Sequence, residues 1–350
     1  MNFFSKVEHL IVNRLWRQDL FINKLLRPFS WIYIIIHTIK VFLTNKQKTN
    51  VPVICIGNLT VGGSGKTPIA LAIGRLLKKH KRNLAFVGHG YKANLLKHSI
   101  CIAVDLKMHN VNNVGDEAIL LSSFAPTYIA QKRIQGVFTA QADDFDIAVL
   151  DDGLQDNSIH KDLSIVVIDS EYILGNLLLL PAGPLRELPV FALKRADLVI
   201  VSGINEDKIE EAMNFINCRF SKKVPLLKTK TTSCLITPKD IERFKDKDFF
   251  AIIGIAHPKK FLETAKKYNI KIKESAIFSD HYMFSESELD AIYNYANVLK
   301  CSVITSSKDF VRLPKKYQNL TQVIEIEAEF PNIELIKNML AKKFDLNFTS

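Results

Sequence analysis

A glycine-rich turn between an apolar run and an amphipathic segment restricts the fold of this chain more than any other feature. Residues 53–56 are apolar enough for a buried strand, and Gly62, Gly63 and Gly65 follow closely. From Pro68 onward the apolar residues recur at helical spacing. In such a turn, consecutive backbone N–H groups face an anion, and the following helix adds the positive end of its dipole. The segment therefore predicts a phosphate-binding strand–loop–helix unit.

This phosphate-binding loop (P-loop, residues 60–67) supplies the predicted nucleotide-binding residues. They are Thr60, Val61, Gly62, Gly63, Ser64, Gly65, Lys66 and Thr67. In this arrangement Lys66 reaches the β- and γ-phosphates, and the Thr67 hydroxyl binds Mg²⁺. Thr60 stands where the usual pattern has glycine. A glycine-rich turn without a ligand is the alternative, but Gly-x-Gly-Lys-Thr between a strand and a helix rarely occurs without a bound phosphate group.

Two adjacent carboxylates follow a second apolar run. Asp151 and Asp152 come directly after residues 147–150 and precede Gly153. An acid at the tip of such a strand in a P-loop fold holds Mg²⁺ directly or through water. The alternative is a turn at the end of a strand, since Asp-Gly is a common turn pair. Together with the P-loop, the pair predicts a Mg²⁺-nucleotide site.

Three other polar residues are candidates for the site. Asp116 and His281 could activate an acceptor hydroxyl, although Asp116 is also suited to cap the following helix and His281 to lie in a surface turn. Residues 180–187 form a loop with two prolines and one cation, Arg186, which could bind phosphate or only turn the chain. The sequence around these residues does not decide between a role in the site and a purely structural role as a cap or a turn.

Apolar runs alternate with amphipathic stretches along the rest of the chain. This alternation predicts an α/β fold with a mostly parallel sheet and helices on both faces. We expect a P-loop domain over residues 49–215 and a smaller α/β domain over 225–350, divided within the polar stretch 205–237. The expected strands of the smaller domain are 249–253, 271–277 and 302–305, with helices at 258–268 and 285–299.

The N-terminal residues 1–48 form a separate apolar and cationic segment. Residues 30–44 are strongly apolar but contain His37 and Lys40, so the run is shorter than the roughly 20 residues of a bilayer span. The flanking cations are Lys6, Arg14, Arg17, Lys24, Arg27, Lys46 and Lys48. This pattern favours a helix at the surface of an anionic membrane. A helix buried in the core is the alternative.

The net charge of +11 suits an anionic partner, which could be a nucleic acid, an acidic membrane or a phosphorylated substrate. The chain has no recognised nucleic-acid-binding motif, so we expect no nucleic-acid partner. Five widely spaced cysteines without a Cys-x-x-Cys pair indicate neither a zinc site nor a disulfide framework.

A membrane-associated P-loop switch ATPase or GTPase is a further alternative. Val61 stands where some of those ATPases carry a second lysine, and no Asn-Lys-x-Asp motif occurs.

Several motifs in order along the chain resemble the tetraacyldisaccharide 4'-kinase family, including its Thr at the position of Thr60. They are residues 57–68, Gly88-x-Gly90-Tyr91, Val114-Gly115-Asp116-Glu117, residues 150–155, residues 180–187, Gly254-Ile255-Ala256-x-Pro258-x-x-Phe261, residues 278–281 and Lys308-Asp309-x-Val311-Arg312-Leu313. The resemblance covers nearly the whole chain. Three positions depart from the family pattern: His89, Asp156 and His257.

The resemblance implies transfer of the ATP γ-phosphate to the 4'-hydroxyl of a tetraacylated glucosamine disaccharide 1-phosphate in lipid A biosynthesis. It also implies a Mg²⁺ requirement, a lipid-linked acceptor and a location on the cytoplasmic face of the bacterial inner membrane. We expect a monomer. The resemblance makes Asp116 the general base and His281 its partner, with Lys66 also catalytic, and it places Asp151 and Asp152 at the Mg²⁺. The residues expected to face substrate or phosphate are Arg186, Arg133, Tyr91 and Asn58.

Overall fold

The computed structural model describes residues 16–18, 20–224 and 231–345. Its strands are β1 (Val53–Asn58), β2 (Leu84–Gly88), β3 (Cys101–Ala103), β4 (Thr127–Ala130), β5 (Ile147–Asp151), β6 (Leu163–Asp169), β7 (Leu198–Gly203), β8 (Thr231–Pro238), β9 (Asp248–Ile253), β10 (Lys271–Ile277), β11 (Ser302–Ser306), β12 (Thr321–Ile324) and β13 (Ile326–Glu329). Its α-helices are α1 (Phe21–Leu43), α2 (Lys66–Lys79), α3 (Val111–Val114), α4 (Asp116–Ser122), α5 (Arg133–Ala142), α6 (Pro189–Arg195), α7 (Glu206–Phe220), α8 (Pro258–Lys267), α9 (Glu286–Val298), α10 (Ser307–Phe310), α11 (Lys315–Gln318) and α12 (Ile333–Phe344).

Nine strands form the main sheet in the order β13-β8-β7-β6-β1-β5-β2-β4-β3. The strand β1 lies between β5 and β6 and is parallel to both, with Cys55 opposite Leu150 on one side and Ser164 on the other. Among the described strands of this sheet, only β3 and β13 run antiparallel to their neighbours. The parallel strands end at one edge of the sheet, which is where open α/β sheets bind ligands.

Helices cover both faces of this sheet, as the alternation of the sequence predicts. Along β1 the side chains of Val53 and Cys55 join one core cluster, and those of Ile54 and Ile56 join the other. The first cluster includes apolar residues of α5, α6 and α7, and the second includes residues of α2 and α12. Strands buried on both faces have continuous apolar sequences, which is why these segments were recognisable.

A second sheet has the order β10-β9-β11-β12, and all of its strands are parallel. We call residues 248–324 the small domain and the nine-stranded sheet with its helices the large domain. The sequence predicts a smaller domain over residues 225–350, whereas the small domain of the structure covers residues 248–324. Strand β8 pairs with β7, and β13 returns to pair with β8, so both lie in the large sheet. Helix α12 packs on the large domain's core through Ile336 and Leu340. The pairing of β13 with β8 joins segments far apart in sequence, which local patterning does not reveal.

The N-terminal helix α1 begins earlier than the apolar run indicates and contains Pro28. It is the one described helix that is long and apolar enough, by length and composition, to cross a membrane. Its apolar side chains are largely exposed, including Trp31 (70%) and Ile36 (62%), so the buried-core alternative is wrong. The expected cations Lys6 and Arg14 lie outside the described residues.

Three polar side chains attach α1 to the loop at residues 176–186. The Asn23 amide donates to Ala182 O at 2.6 Å, the Ser30 hydroxyl to Leu179 O at 2.8 Å, and the Tyr33 hydroxyl to Arg186 O at 2.7 Å. Because Asn23 and Ser30 are buried while the apolar residues of α1 are exposed, one narrow polar stripe of the helix faces the protein. Most of the apolar side chains of α1 are therefore turned towards solvent.

Candidate functional site

The P-loop leaves the C-terminal end of β1 and leads directly into α2, which begins at Lys66. Gly62 and Gly65 have positive φ angles of 112° and 79°, a region in which residues with a side chain are strained. A Cβ on Gly65 would also lie 3.2 Å from the Ser202 hydroxyl, which donates to Ser64 O at 3.0 Å. The glycines therefore allow the backbone to curl closely against β7.

Neighbouring segments hold the P-loop in place. The Asn58 amide donates to Thr60 O at 2.7 Å, and Val61 N–H donates to Pro184 O at 2.9 Å. Arg186 N–H donates to Leu59 O at 2.8 Å, so residues 180–187 run beside the P-loop. Asn58 is expected to face the substrate. Its amide nitrogen supports the P-loop backbone, and its Oδ1 atom is buried without a hydrogen-bond partner in the described chain.

The two adjacent carboxylates have different environments. Asp152 lies between two cations, with Arg186 Nη1 at 2.9 Å and Lys66 Nζ at 3.7 Å. Burial raises the pKa of Asp152, but the charges of Lys66 and Arg186 outweigh this and lower it. Asp151 is buried at the end of β5, where burial and then the charge of Glu117 raise its pKa to about 7. Asp152 is thus already paired with two cations, whereas Asp151 forms no ion pair with the residues that the structure describes.

An unpaired oxygen makes Asp151 suitable as a cation ligand. Its Oδ1 atom is buried without a hydrogen-bond partner in the described chain, which is costly unless a ligand binds there. The side chain of Thr67, which carries a hydroxyl, is buried at the start of α2, directly after the P-loop. The described residues contain no group of three or more His, Cys, Asp or Glu side chains that could hold a metal alone. Mg²⁺ commonly uses only one or two carboxylates, with substrate phosphates and water completing its shell, so this donor set fits Mg²⁺.

The structure brings Asp116 and His281 together from the two domains. Asp116 is the first residue of α4, whose N-cap is Gly115, so Asp116 is not itself the cap. His281 lies between β10 and α9 in a left-handed conformation with φ 58°. The Nδ1 atom of His281 is 2.8 Å from Asp116 Oδ2. The Tyr91 ring lies 5.2 Å from the imidazole, and Tyr91 is 60% exposed.

Charges around Asp116 keep its carboxylate ionised. Burial raises its pKa, but the hydrogen bond and charge of His281, followed by the charges of Lys308 and Arg312, bring the pKa down to about 2. The Nε atom of Arg312 lies 3.4 Å from the same Asp116 oxygen that contacts His281. An ionised carboxylate beside an imidazole can accept a hydrogen bond and receive or share a proton.

Sequence reasoning assigned no role to the small-domain residues Lys308 and Arg312, which reach this site. The Lys308 ammonium lies 2.6 Å from Glu117 Oε1, next to Asp116 in the large domain. Arg312 is almost completely buried and pairs with Asp309 at 3.2 Å as well as with Asp116. The motif that contains both residues was recognisable, but its position against α4 was not.

Arg133 lies at the start of α5, with its Nη1 atom 3.9 Å from Asp156 Oδ2. Burial, followed by the charge of Arg133, lowers the pKa of His89. Asp156 therefore lies beside Arg133, and the charge of the same cation acts on His89. The third position that departs from the family pattern, His257, stacks on Tyr172 with ring centroids 4.1 Å apart and covers the outer side of Gly62.

The sheet, the P-loop and the acids at the end of β5 define a nucleotide-dependent phosphotransferase of the P-loop class. A sequence model of the family described as Tetraacyldisaccharide-1-P 4'-kinase matches residues 22–345. The chain belongs to this family.

Similar proteins span nearly the same length. The tetraacyldisaccharide 4'-kinases of Rhodospirillum rubrum and Paramagnetospirillum magneticum are 34% and 33% identical over 90% of this chain, which covers 92% and 93% of theirs. That of Rickettsia felis is 31% identical over 95% of this chain and 98% of its own. The solved structure of LpxK from Aquifex aeolicus in complex with ATP has a TM-score of 0.71 and 23% identity. That match covers 92% of this chain and 99% of the other, and it supports the fold assignment.

Proposed function

We propose that this chain transfers the γ-phosphate of ATP to the 4'-hydroxyl of a tetraacylated glucosamine disaccharide 1-phosphate, a step of lipid A biosynthesis. The observation that carries the proposal is the Asp116–His281 pair, which spans the two domains at 2.8 Å. A P-loop alone would serve a switch ATPase equally well. A paired carboxylate and imidazole beside the P-loop residues are what the activation of an acceptor hydroxyl requires.

The P-loop residues bind and orient the triphosphate. Backbone N–H groups and the start of α2 attract its oxygens, and Lys66 neutralises charge at the β- and γ-phosphates. Arg186 already holds Asp152 and lies beside the same loop. Phosphoryl transfer depends mainly on such positioning and charge stabilisation, because the protein performs little covalent chemistry.

Thr67, Asp151 and Asp152 are the residues that would hold Mg²⁺. When bound, this ion would neutralise charge on the phosphate oxygens. The unpaired Oδ1 of Asp151 supports this assignment. Asp152 keeps its place through Arg186 and Lys66, so it orients those two cations whether or not it touches the ion.

Asp116 and His281 would remove the proton from the acceptor hydroxyl. Sugar hydroxyls are poor nucleophiles at neutral pH, and a positioned base accelerates such reactions by about 10²- to 10⁴-fold. The contact between His281 Nδ1 and Asp116 Oδ2 orients both groups. Since His281 belongs to the small domain, the pair is complete only while the domains are in contact, and this limits transfer to water.

Helix α1 would place the protein on the cytoplasmic face of the inner membrane, where a lipid acceptor is available. Its exposed apolar side chains and its cations Lys24, Arg27 and Lys40 suit an anionic bilayer surface. The hydrogen bonds from α1 to residues 179–186 connect this helix to the segment beside the P-loop. We propose that the protein acts there as a monomer.

The test is transfer of labelled γ-phosphate from ATP to the disaccharide 1-phosphate in detergent micelles. We expect labelled lipid with the intact enzyme and almost none with Lys66→Ala, because that ammonium contacts the phosphates being transferred. ATP consumption that the lipid does not stimulate, with no labelled lipid, would instead indicate a switch ATPase. Normal transfer by Lys66→Ala would mean that the P-loop is not the catalytic nucleotide site.

A further inference from the structure

Lys308 is a small-domain cation that reaches the reaction site of the large domain. It lies on the short helix α10, directly after β11. Its ammonium is 2.6 Å from Glu117 Oε1. The backbone of α10 is fixed, because Ser306 Oγ accepts from Asp309 N–H at 3.1 Å and Asp309 Oδ1 accepts from Gly254 N–H at 3.0 Å. The position of Lys308 is therefore set by the fold of the small domain.

The ammonium of Lys308 lies within the field of three carboxylates. Burial lowers its pKa, but Glu117, Asp116 and Asp151 outweigh this and raise it, so the side chain is charged at neutral pH. Lys66 of the P-loop acts on the same carboxylates Glu117 and Asp151 from the large domain. The charges of the two lysines therefore act on the same acids, and each domain supplies one of the lysines.

Lys308 differs from Arg312, the other small-domain cation at this cluster. The Arg312 side chain is 1% exposed and donates to Gly254 O and Lys308 O, both at 3.0 Å. Those bonds hold the guanidinium in place, so it cannot reach a substrate. The Lys308 side chain is 29% exposed and, within the described part of the chain, its ammonium pairs with Glu117 alone, which is 37% exposed. Part of the Lys308 side chain is therefore accessible to solvent where the two domains meet.

We propose that Lys308 is a catalytic residue whose ammonium leaves Glu117 and binds the γ-phosphate of the bound nucleotide. This inference rests on the proposed kinase function. In the transfer, the bond from the γ-phosphorus to the β,γ-bridging oxygen breaks and a bond to the acceptor oxygen forms. The hydroxyl proton passes to the Asp116–His281 pair. Lys308 forms no covalent bond and offsets the charge on the equatorial phosphoryl oxygens, as a cation supplied by a second segment does in other P-loop enzymes.

The test compares Lys308→Met and Lys308→Arg with the intact enzyme in the lipid phosphorylation assay. We expect kcat to fall about 10²-fold or more in Lys308→Met, while nucleotide affinity, measured by titration with a fluorescent ATP analogue, stays within about threefold. The kcat of Lys308→Arg should be at least about tenfold higher than that of Lys308→Met, because arginine restores the charge. The matched control is Lys316→Met, which removes an exposed ion pair within the small domain, to Glu286. Its kcat should stay within about threefold of the intact enzyme.

Three results would overturn the proposal. The first is a kcat for Lys308→Met within about threefold of the intact enzyme. The second is a Lys308→Arg variant that folds but is no more active than Lys308→Met. The third is loss of the Lys308→Met effect in a Glu117→Gln background, because Lys308 would then act only through Glu117. If the intact enzyme itself labels no lipid, the proposed function fails, and this is seen before any variant is compared.

Discussion

Replacing Asp116 with Asn removes one charge from the contact between the domains and leaves the shape of the side chain almost unchanged. The amide oxygen of Asn can still accept a hydrogen bond from His281 Nδ1, which lies 2.8 Å from Asp116 Oδ2. It offers no charge to that imidazole or to Arg312 at 3.4 Å. The variant therefore tests the base and the electrostatic contact between the domains together.

The pKa of Asp116 gives the size of the effect on stability. It is about 2 in the folded protein instead of 3.8, and each pKa unit corresponds to about 1.4 kcal/mol. The ionised carboxylate thus stabilises the folded chain by about 2 kcal/mol at pH 7. Because the folded pKa is the lower one, this contribution is complete above the unfolded pKa and is lost as the pH falls from about 4 towards 2. The stability difference between wild type and Asp116→Asn should shrink over the same interval.

The expected loss of turnover is about 10²-fold or more, the usual scale for a missing acid–base group. Transfer of labelled γ-phosphate to the lipid acceptor measures turnover, and urea denaturation at pH 7 and pH 3 measures stability. Asp246→Asn is the matched control, since it makes the same change on an exposed residue near the start of the small domain. Turnover of Asp116→Asn within about tenfold of wild type would refute the assignment of the base.

Two further predictions concern other parts of the molecule. Burial lowers the pKa of His257 to about 4, so the unfolded chain binds a proton that the folded chain does not. Wild type should lose about 2 kcal/mol of stability between pH 7 and pH 5 from this residue. His257→Asn should lose correspondingly less in denaturation at the two pH values, and an equal loss would contradict the prediction. On α1, replacing the exposed Ile32 and Ile36 with Asp should lower co-sedimentation with anionic vesicles by about tenfold or more. The control is the double variant Ile100→Asp and Leu320→Asp, two residues that are exposed elsewhere on the protein, and it should leave co-sedimentation unchanged. Equal losses of co-sedimentation in the two double variants would exclude a specific role for α1.

Local patterns in the sequence determined the P-loop and the buried strands of the large sheet. The apolar strand, the glycines and Lys66-Thr67 specify a P-loop because each is a short-range feature of backbone geometry or side-chain chemistry. Buried parallel strands are continuous apolar runs, so β1 and β5 were predictable to within about two residues. The motifs around Asp116 and His281 identified the family, but each residue alone was also consistent with a turn or a cap.

Only the tertiary structure decided which of these residues meet. Asp116 and His281 are 165 positions apart, and Glu117 and Lys308 are 191 apart. Their contacts depend on how the small domain lies on the large one. The small domain is inserted in the sequence between β8 and β13, which are both strands of the large sheet. The same packing assigns Asn58 to the support of the P-loop and turns one polar stripe of α1 towards the protein. Local propensity cannot specify such contacts, because their energy arises from groups brought together only when the whole chain has folded.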